Sequence, residues 1–221
     1  MLLQSLMVSV VMLASPAVVE EDGFRVIFDG KTLDGWKQVG PGSFEEAEDG
    51  DGFKTVGGMG LLYYEKETFG DCVIRVVYKV GDERDNAGVY VRIAEEPDDP
   101  WYAVHNGYEV QIVDRGSPLS QTGAIYSFAE AKKIESRPGE WNTMEITLDG
   151  EVIAVSVNGE AVSRFDPTSD PIPPPRNDID PKRQPRKTRG YIGLQNHGDD
   201  DLVYFKEVSV RPLEKQADAT D

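Results

Sequence analysis

The chain is poor in the residues that mark several common protein classes. There is one cysteine, Cys72, in 221 residues, so no disulfide forms within the chain. Cys72 sits in the apolar stretch "DCVIRVVYKV" and reads as a small core residue rather than a reactive thiol. No cysteine follows the N-terminal apolar run, which excludes a lipid anchor on such a residue. Histidine occurs twice, at His105 and His197, too few for a histidine-built metal centre. Positive charge is scarce: 23 Lys and Arg stand against 40 Asp and Glu, a formal net charge of −17. A surface of that sign repels phosphate backbones and anionic lipid, so nucleic acid is not an expected partner. The one basic cluster, "PKRQPRKTRG" (181–190), is short, broken by proline and reads as a loop. Past the N-terminus no apolar run is long enough to span a membrane.

The N-terminal run "LLQSLMVSVVML" (2–13) is also too short for a span, and "ASPA" follows it. Ser15 and Ala17 stand where a signal peptidase prefers small residues, so 1–17 is expected to be a secretory signal and the protein to be exported, periplasmic or extracellular. The n-region carries no Lys or Arg.

Helical periodicity is nearly absent; only "SFAEAKKI" (127–134) would pass as a turn or two. Alternating or apolar strand patterns recur instead at 24–28, 60–65, 72–80, 87–94, 108–113, 143–150, 151–159, 191–197 and 202–212. Asp149-Gly150 and Asn158-Gly159 interrupt them as hairpin signals. Many antiparallel strands with little helix predict an all-β sandwich or jelly roll. In "FDGKTLDGW", Gly30 and Gly35 suit tight turns and Trp36 suits core closure. The segment 166–189, with Pro173, Pro174 and Pro175, cannot join a ladder and reads as an excursion over the sandwich. Residues 214–221 read as a tail.

Three strands carry an unusual polar face. In "NAGVYVRI", Tyr90 and Arg92 oppose Val89, Val91 and Ile93; in "GYEVQIVD", Glu109 and Gln111 oppose Tyr108, Val110 and Ile112; in "YIGLQNHG", Gln195 and His197 oppose Ile192, Leu194 and Asn196. Arg, Glu, Gln, His and Tyr are planar groups with directed hydrogen bonds, of the kind that recognises sugars. If the strands are neighbours, they form a polar platform; if not, they are parts of a solvated outer face.

Taken in order, "FRVIFDGKTLDGW", "NAGVYVR", "GYEVQIVD", "TGAIYS", "GEWNTMEI", "VNGEAV" and "GYIGLQNHG" resemble the 3-keto-disaccharide hydrolase domain family, over about residues 23–213. The resemblance implies a concanavalin-like jelly roll and a small carbohydrate substrate, a 3-keto-glycoside. It implies cleavage by removal of the C2 proton, elimination of the C1 substituent and hydration. On that reading His197 is the base, imidazole being the side chain that exchanges protons near neutrality, and Glu109 orients it or is itself the base. Arg92 meets the developing oxyanion. Tyr90, Gln111, Tyr126, Gln195 and Asp114 bind substrate. A divalent cation among Glu109, Asp114 and His197 would suit an enolate, although no ligand spacing assigns one and no other cofactor is implied.

Two other readings stand beside it. Glu109-x-Gln111-x-x-Asp114 resembles the paired-carboxylate strand of retaining β-glucanases on the same fold, with Gln111 in place of the middle acid. The fold also serves non-catalytic carbohydrate-binding modules. His105 is expected at a rim, and Trp141 in packing.

Overall fold

The computed structural model describes residues 22–134, 137–171 and 186–214. The expected signal segment 1–17, most of the proline-rich excursion and the tail beyond residue 214 lie outside the described residues.

Among the described residues thirteen strands make two antiparallel sheets, as the alternating patterns predict. The strands are β1 (Arg25–Phe28), β2 (Trp36–Val39), β3 (Ser43–Glu46), β4 (Phe53–Val56), β5 (Gly60–Tyr64), β6 (Cys72–Val80) and β7 (Ala87–Ile93). After helix α1 (Pro100–Asn106) come β8 (Tyr108–Ile112), β9 (Asn142–Asp149), β10 (Val152–Val157), β11 (Glu160–Phe165), β12 (Tyr191–Asn196) and β13 (Val203–Pro212). One sheet runs β11-β10-β9-β6-β13-β4-β3, with β1 on β13; the other runs β2-β5-β12-β7-β8. β2, β3, β4 and β11 lie outside the ranges read from the sequence. The first three have only four residues each, too few to establish a period, and β11 is signalled only by the Asn158-Gly159 hairpin before it.

Both marked hairpins form. Val157 pairs with Glu160 around Asn158-Gly159, both left-handed (φ 51° and 81°), the twist that two-residue hairpins require. Val152 pairs with Asp149 around Gly150 and Glu151. The core lies between the sheets. Ile74, Val76, Met144, Ile146 and Phe205 come from one sheet, and Val89, Val110, Ile112, Ile192 and Leu194 from the other, all fully buried. Trp36 closes one end as expected, with its indole N–H donating to the Ile27 carbonyl at 2.7 Å and its ring edge-on to Phe28. Cys72 is buried, and burial pushes its thiol up to about 12, which leaves it inert at neutral pH.

Two local expectations change. Residues 127–134 are not helical; the helix among the described residues is α1, in a stretch to which the sequence patterns assign no element. Its start carries a local signal, with Asp99 as N-cap accepting the Trp101 N–H at 2.7 Å and Pro100 in the first turn. None of the described helices is long and apolar enough to cross a membrane.

Candidate active site

The strand order makes the three polar strands neighbours, β12-β7-β8. Register then decides what meets. Tyr90 pairs with Glu109 on one side and Gly193 on the other, and Gly88 pairs with Gln111. Glu109, Gln111, Gln195, Tyr126 and His197 line one cleft of about 500 Å3. The Tyr90 ring lies beneath it, fully buried against Ile93 and Ala103, with the Gln195 amide donating to its hydroxyl at 2.6 Å.

Glu109 is 8% exposed, and burial pushes its carboxyl up to about 7, although polar contacts from Tyr90 and Gln195 pull the other way. The depth comes from Gly88 on the adjacent strand. A β-carbon there would stand 2.8 Å from the Glu109 Cγ and 2.9 Å from its Oε1, so the carboxyl occupies the space that any other residue would fill. The Gln111 amide donates to the Asn86 side-chain oxygen at 2.6 Å. Tyr126 is held beside Glu109 by its own backbone, its N–H donating to the Glu109 carbonyl at 2.8 Å.

His197 is at the rim, half exposed, with Nδ1 2.9 Å from the Asp201 carboxylate. The other Asp201 oxygen accepts the Asn86 N–H at 2.9 Å. Asp201 is 18% exposed and joins the imidazole to the Asn86–Gln111 pair. A carboxylate on Nδ1 makes that nitrogen the donor and turns Nε2 outward as the atom free to exchange a proton.

Three residues expected to touch substrate do not line the cleft: Tyr90 is sealed beneath the floor, where it supports Gln195 instead of meeting a ligand, and Arg92 and Asp114 are elsewhere. Arg92 has a left-handed backbone (φ 57°), which breaks the strand's alternation, and the β7–β12 register shifts at this point. The neighbouring chain accepts this bulge only because residue 190 is glycine: a β-carbon there would meet the Arg92 backbone at 2.4 Å. Arg92 therefore points towards the opposite sheet, 1% exposed, and donates to the carbonyls of Gly150 at 2.6 Å, Glu151 at 3.0 Å and Val152 at 3.4 Å. It is a tie between the sheets, not an oxyanion holder. Asp114 does not line the cleft either; it accepts the Thr122 hydroxyl at 2.7 Å. With Asp114 turned away, no group of three His, Cys, Asp or Glu side chains suited to a metal is gathered among the described residues. The glucanase comparison also loses its second carboxylate.

The sequence reading missed Asp201, Asn86, Gly88 and Trp101. The run "HGDDD" held the signal for Asp201, a carboxylate four residues from His197. Trp101 and Val104 of α1, with Met59, form one wall of the cleft; Arg84 and Arg115 lie on its rim. His105 stacks on Trp101, beside the cleft, and Trp141 lies well away under Lys79 and Lys206.

The architecture has known counterparts. A crystal structure of a candidate glycosyl hydrolase from Parabacteroides distasonis superposes with a TM-score of 0.69 at 26% identity, covering 86% of this chain and 99% of that one. A second from the same organism gives 0.69 at 21%, covering 90% and 99%. A carbohydrate-binding module from Bacillus subtilis shares the fold alone, with a TM-score of 0.54 at 15% identity over 79% of this chain and 93% of that one. In sequence, a protein of Bacteroides thetaiotaomicron named 3-keto-disaccharide hydrolase is 24% identical, over 89% of this chain and 80% of its own length. Residues 23–211, almost the whole described sandwich, match one family throughout: the chain belongs to the 3-keto-alpha-glucoside-1,2-lyase-like domain family.

Proposed function

We propose that the protein is an exported carbohydrate-active enzyme that cleaves 3-keto-glycosides by elimination and hydration, with Glu109 as the base. The observation that carries this reading is the Glu109 carboxyl, buried on the cleft floor and pushed up to about 7. A base in that range is half ionised near neutrality and strong enough to take a carbon-bound proton that an adjacent ketone has acidified. Family membership and the name of the Bacteroides relative support the substrate class.

The steps balance without an added reactant other than water. Glu109 takes the C2 proton, and the electron pair of that C–H bond forms an enolate with the C3 ketone. The enolate then expels the C1 oxygen, which takes up a proton as the C1–O bond breaks. Water adds to C1 of the unsaturated product, and a proton returns to C2. The net change is hydrolysis. His197, oriented by Asp201, is the candidate to protonate the leaving oxygen and then to deprotonate the incoming water. With the Arg92 guanidinium committed to carbonyls of the other sheet, the donors left to meet the enolate oxygen are Tyr126 in the cleft and Arg84 and Arg115 at its rim. Gln111 and Gln195 are held on the floor to bind hydroxyls. Export is supported by the apolar run 2–13 and the small residues after it; N-terminal sequencing of the native protein should begin near Val18.

Direct displacement at C1 is the less favoured route, because it needs a second carboxylate about 5 Å from the first and, among the described residues, Glu109 is the one carboxylate on the cleft lining. The two routes separate in heavy water. Elimination followed by hydration places solvent deuterium at C2 of the released 3-keto sugar. A product without C2 deuterium, from a substrate that does not exchange unaided, would reject elimination.

A further inference from the structure

The cleft floor is polar, but one wall is not. Trp101 is 50% exposed, one of two large apolar side chains left so open among the described residues. Exposing an indole to water is unfavourable, and this one is held in place rather than left to find cover. The backbone N–H of Trp101 is capped by Asp99, and its ring stacks with that of His105, centroids 6.5 Å apart. Its helix is anchored through Ala103 in a buried cluster with Leu61, Tyr63, Tyr90 and Ile93, the cluster that also seats the floor. Met59 and Val104 extend the same wall with apolar groups.

We propose that this wall is the subsite for the leaving group and that it selects glycosides whose aglycone carries an aromatic ring. The inference rests on the reaction assigned to Glu109. The reacting sugar presents a ketone and hydroxyls, and these match the amides, carboxyl and phenol of the floor. The part of a glycoside free to be apolar is its aglycone. A flat aromatic ring stacks on the indole and needs no hydrogen bond from Met59 or Val104. A second pyranose could also stack on Trp101, yet its rim of hydroxyls would face those two side chains without partners. A tryptophan already ordered before binding loses little conformational freedom when the ring arrives.

The test uses the 3-keto-glucosides of 2-phenylethanol and of ethanol, two primary alcohols of similar acidity, with a 3-keto-disaccharide as the third arm. The phenylethyl glycoside should have a kcat/KM about tenfold above the ethyl one. Trp101→Ala should erase that preference by lowering the phenylethyl value far more than the ethyl value. Trp101→Phe should keep much of it. Equal turnover of the two by the unmutated enzyme, or equal loss of both in Trp101→Ala, would overturn the subsite. So would a disaccharide that outperforms the phenylethyl glycoside and alone depends on Trp101. Calorimetric titration with unoxidised 2-phenylethyl glucoside separates this inference from the reaction. Trp101-dependent binding without turnover of any 3-keto-glycoside would keep the subsite and reject the chemistry. Turnover without a phenyl preference would do the reverse.

Discussion

The carboxyl of Glu109 lies across Gly88 of the neighbouring strand, in space that a β-carbon at 88 would enter at 2.8 Å from Cγ. The absence of a side chain on one strand thus creates the buried carboxyl on the next. Gly88→Ala should push the carboxyl off the floor. The new contact is with a side chain rather than backbone, so the fold should survive with a modest loss of stability. Activity on a 3-keto-glycoside should fall by about a hundredfold, the scale of an ångström's misplacement at a reacting group. Thermal unfolding measured beside kcat/KM checks this; a folded variant with unchanged kcat/KM would show that the depth of Glu109 is immaterial.

Burial raises the Glu109 carboxyl from 4.5 to about 7, with two consequences of known sign. As a base it must be ionised, so kcat/KM should rise with pH and level off above about 7. Glu109→Gln should lose that limb and about two to four orders of magnitude in rate.

The same shift costs stability. Below pH 4.5 the carboxyl is protonated both folded and unfolded, and nothing is lost. Between 4.5 and about 7 only the unfolded chain releases the proton, so stability falls as pH rises. Glu109→Gln should therefore match the parent near pH 4 and exceed it by about 3 kcal/mol at pH 8. Denaturant unfolding at the two pH values measures the difference. A variant less stable than the parent at pH 8 would contradict the buried, strained carboxyl.

His197 and Asp201 are 2.9 Å apart and should act as one unit. His197→Ala and Asp201→Asn should each lower kcat/KM by about two orders of magnitude, and the double variant by little more than His197→Ala alone. Strictly additive losses would separate the pair. Since His197 is half exposed, its replacement should leave the unfolding midpoint nearly unchanged.

Arg92 makes the opposite prediction. Its guanidinium joins β7 of one sheet to the β9–β10 turn of the other through three carbonyls. Arg92→Met should remove the donor to those carbonyls, untie the two sheets and destabilise the fold by about 1–3 kcal/mol. The fraction that folds should turn over substrate at nearly the parent rate. A stable Arg92→Met protein with a large loss in kcat would return the residue to the active site.

Much of the site was legible in the sequence because strand alternation is a local property. Once residues 108–112 form a strand, Glu109 and Gln111 must share a face opposite Tyr108, Val110 and Ile112, whatever surrounds them. The same count places Gln195 with His197, and the hairpin at Asn158-Gly159 follows from two residues that tolerate positive φ. The sequence by itself therefore determined an antiparallel sandwich and most of one polar face. It could not determine what depends on contacts distant along the chain. Which strands become neighbours is settled by packing, and so is the desolvation that raises Glu109, since Gly88 and Gln195 come from separate strands. Arg92 shows the limit most clearly. One left-handed residue, accommodated by Gly190 nearly a hundred positions away, breaks the two-residue period and carries an arginine from the expected floor to the opposite sheet. Period-2 counting holds only while every residue keeps extended geometry, and that is decided by tertiary contacts.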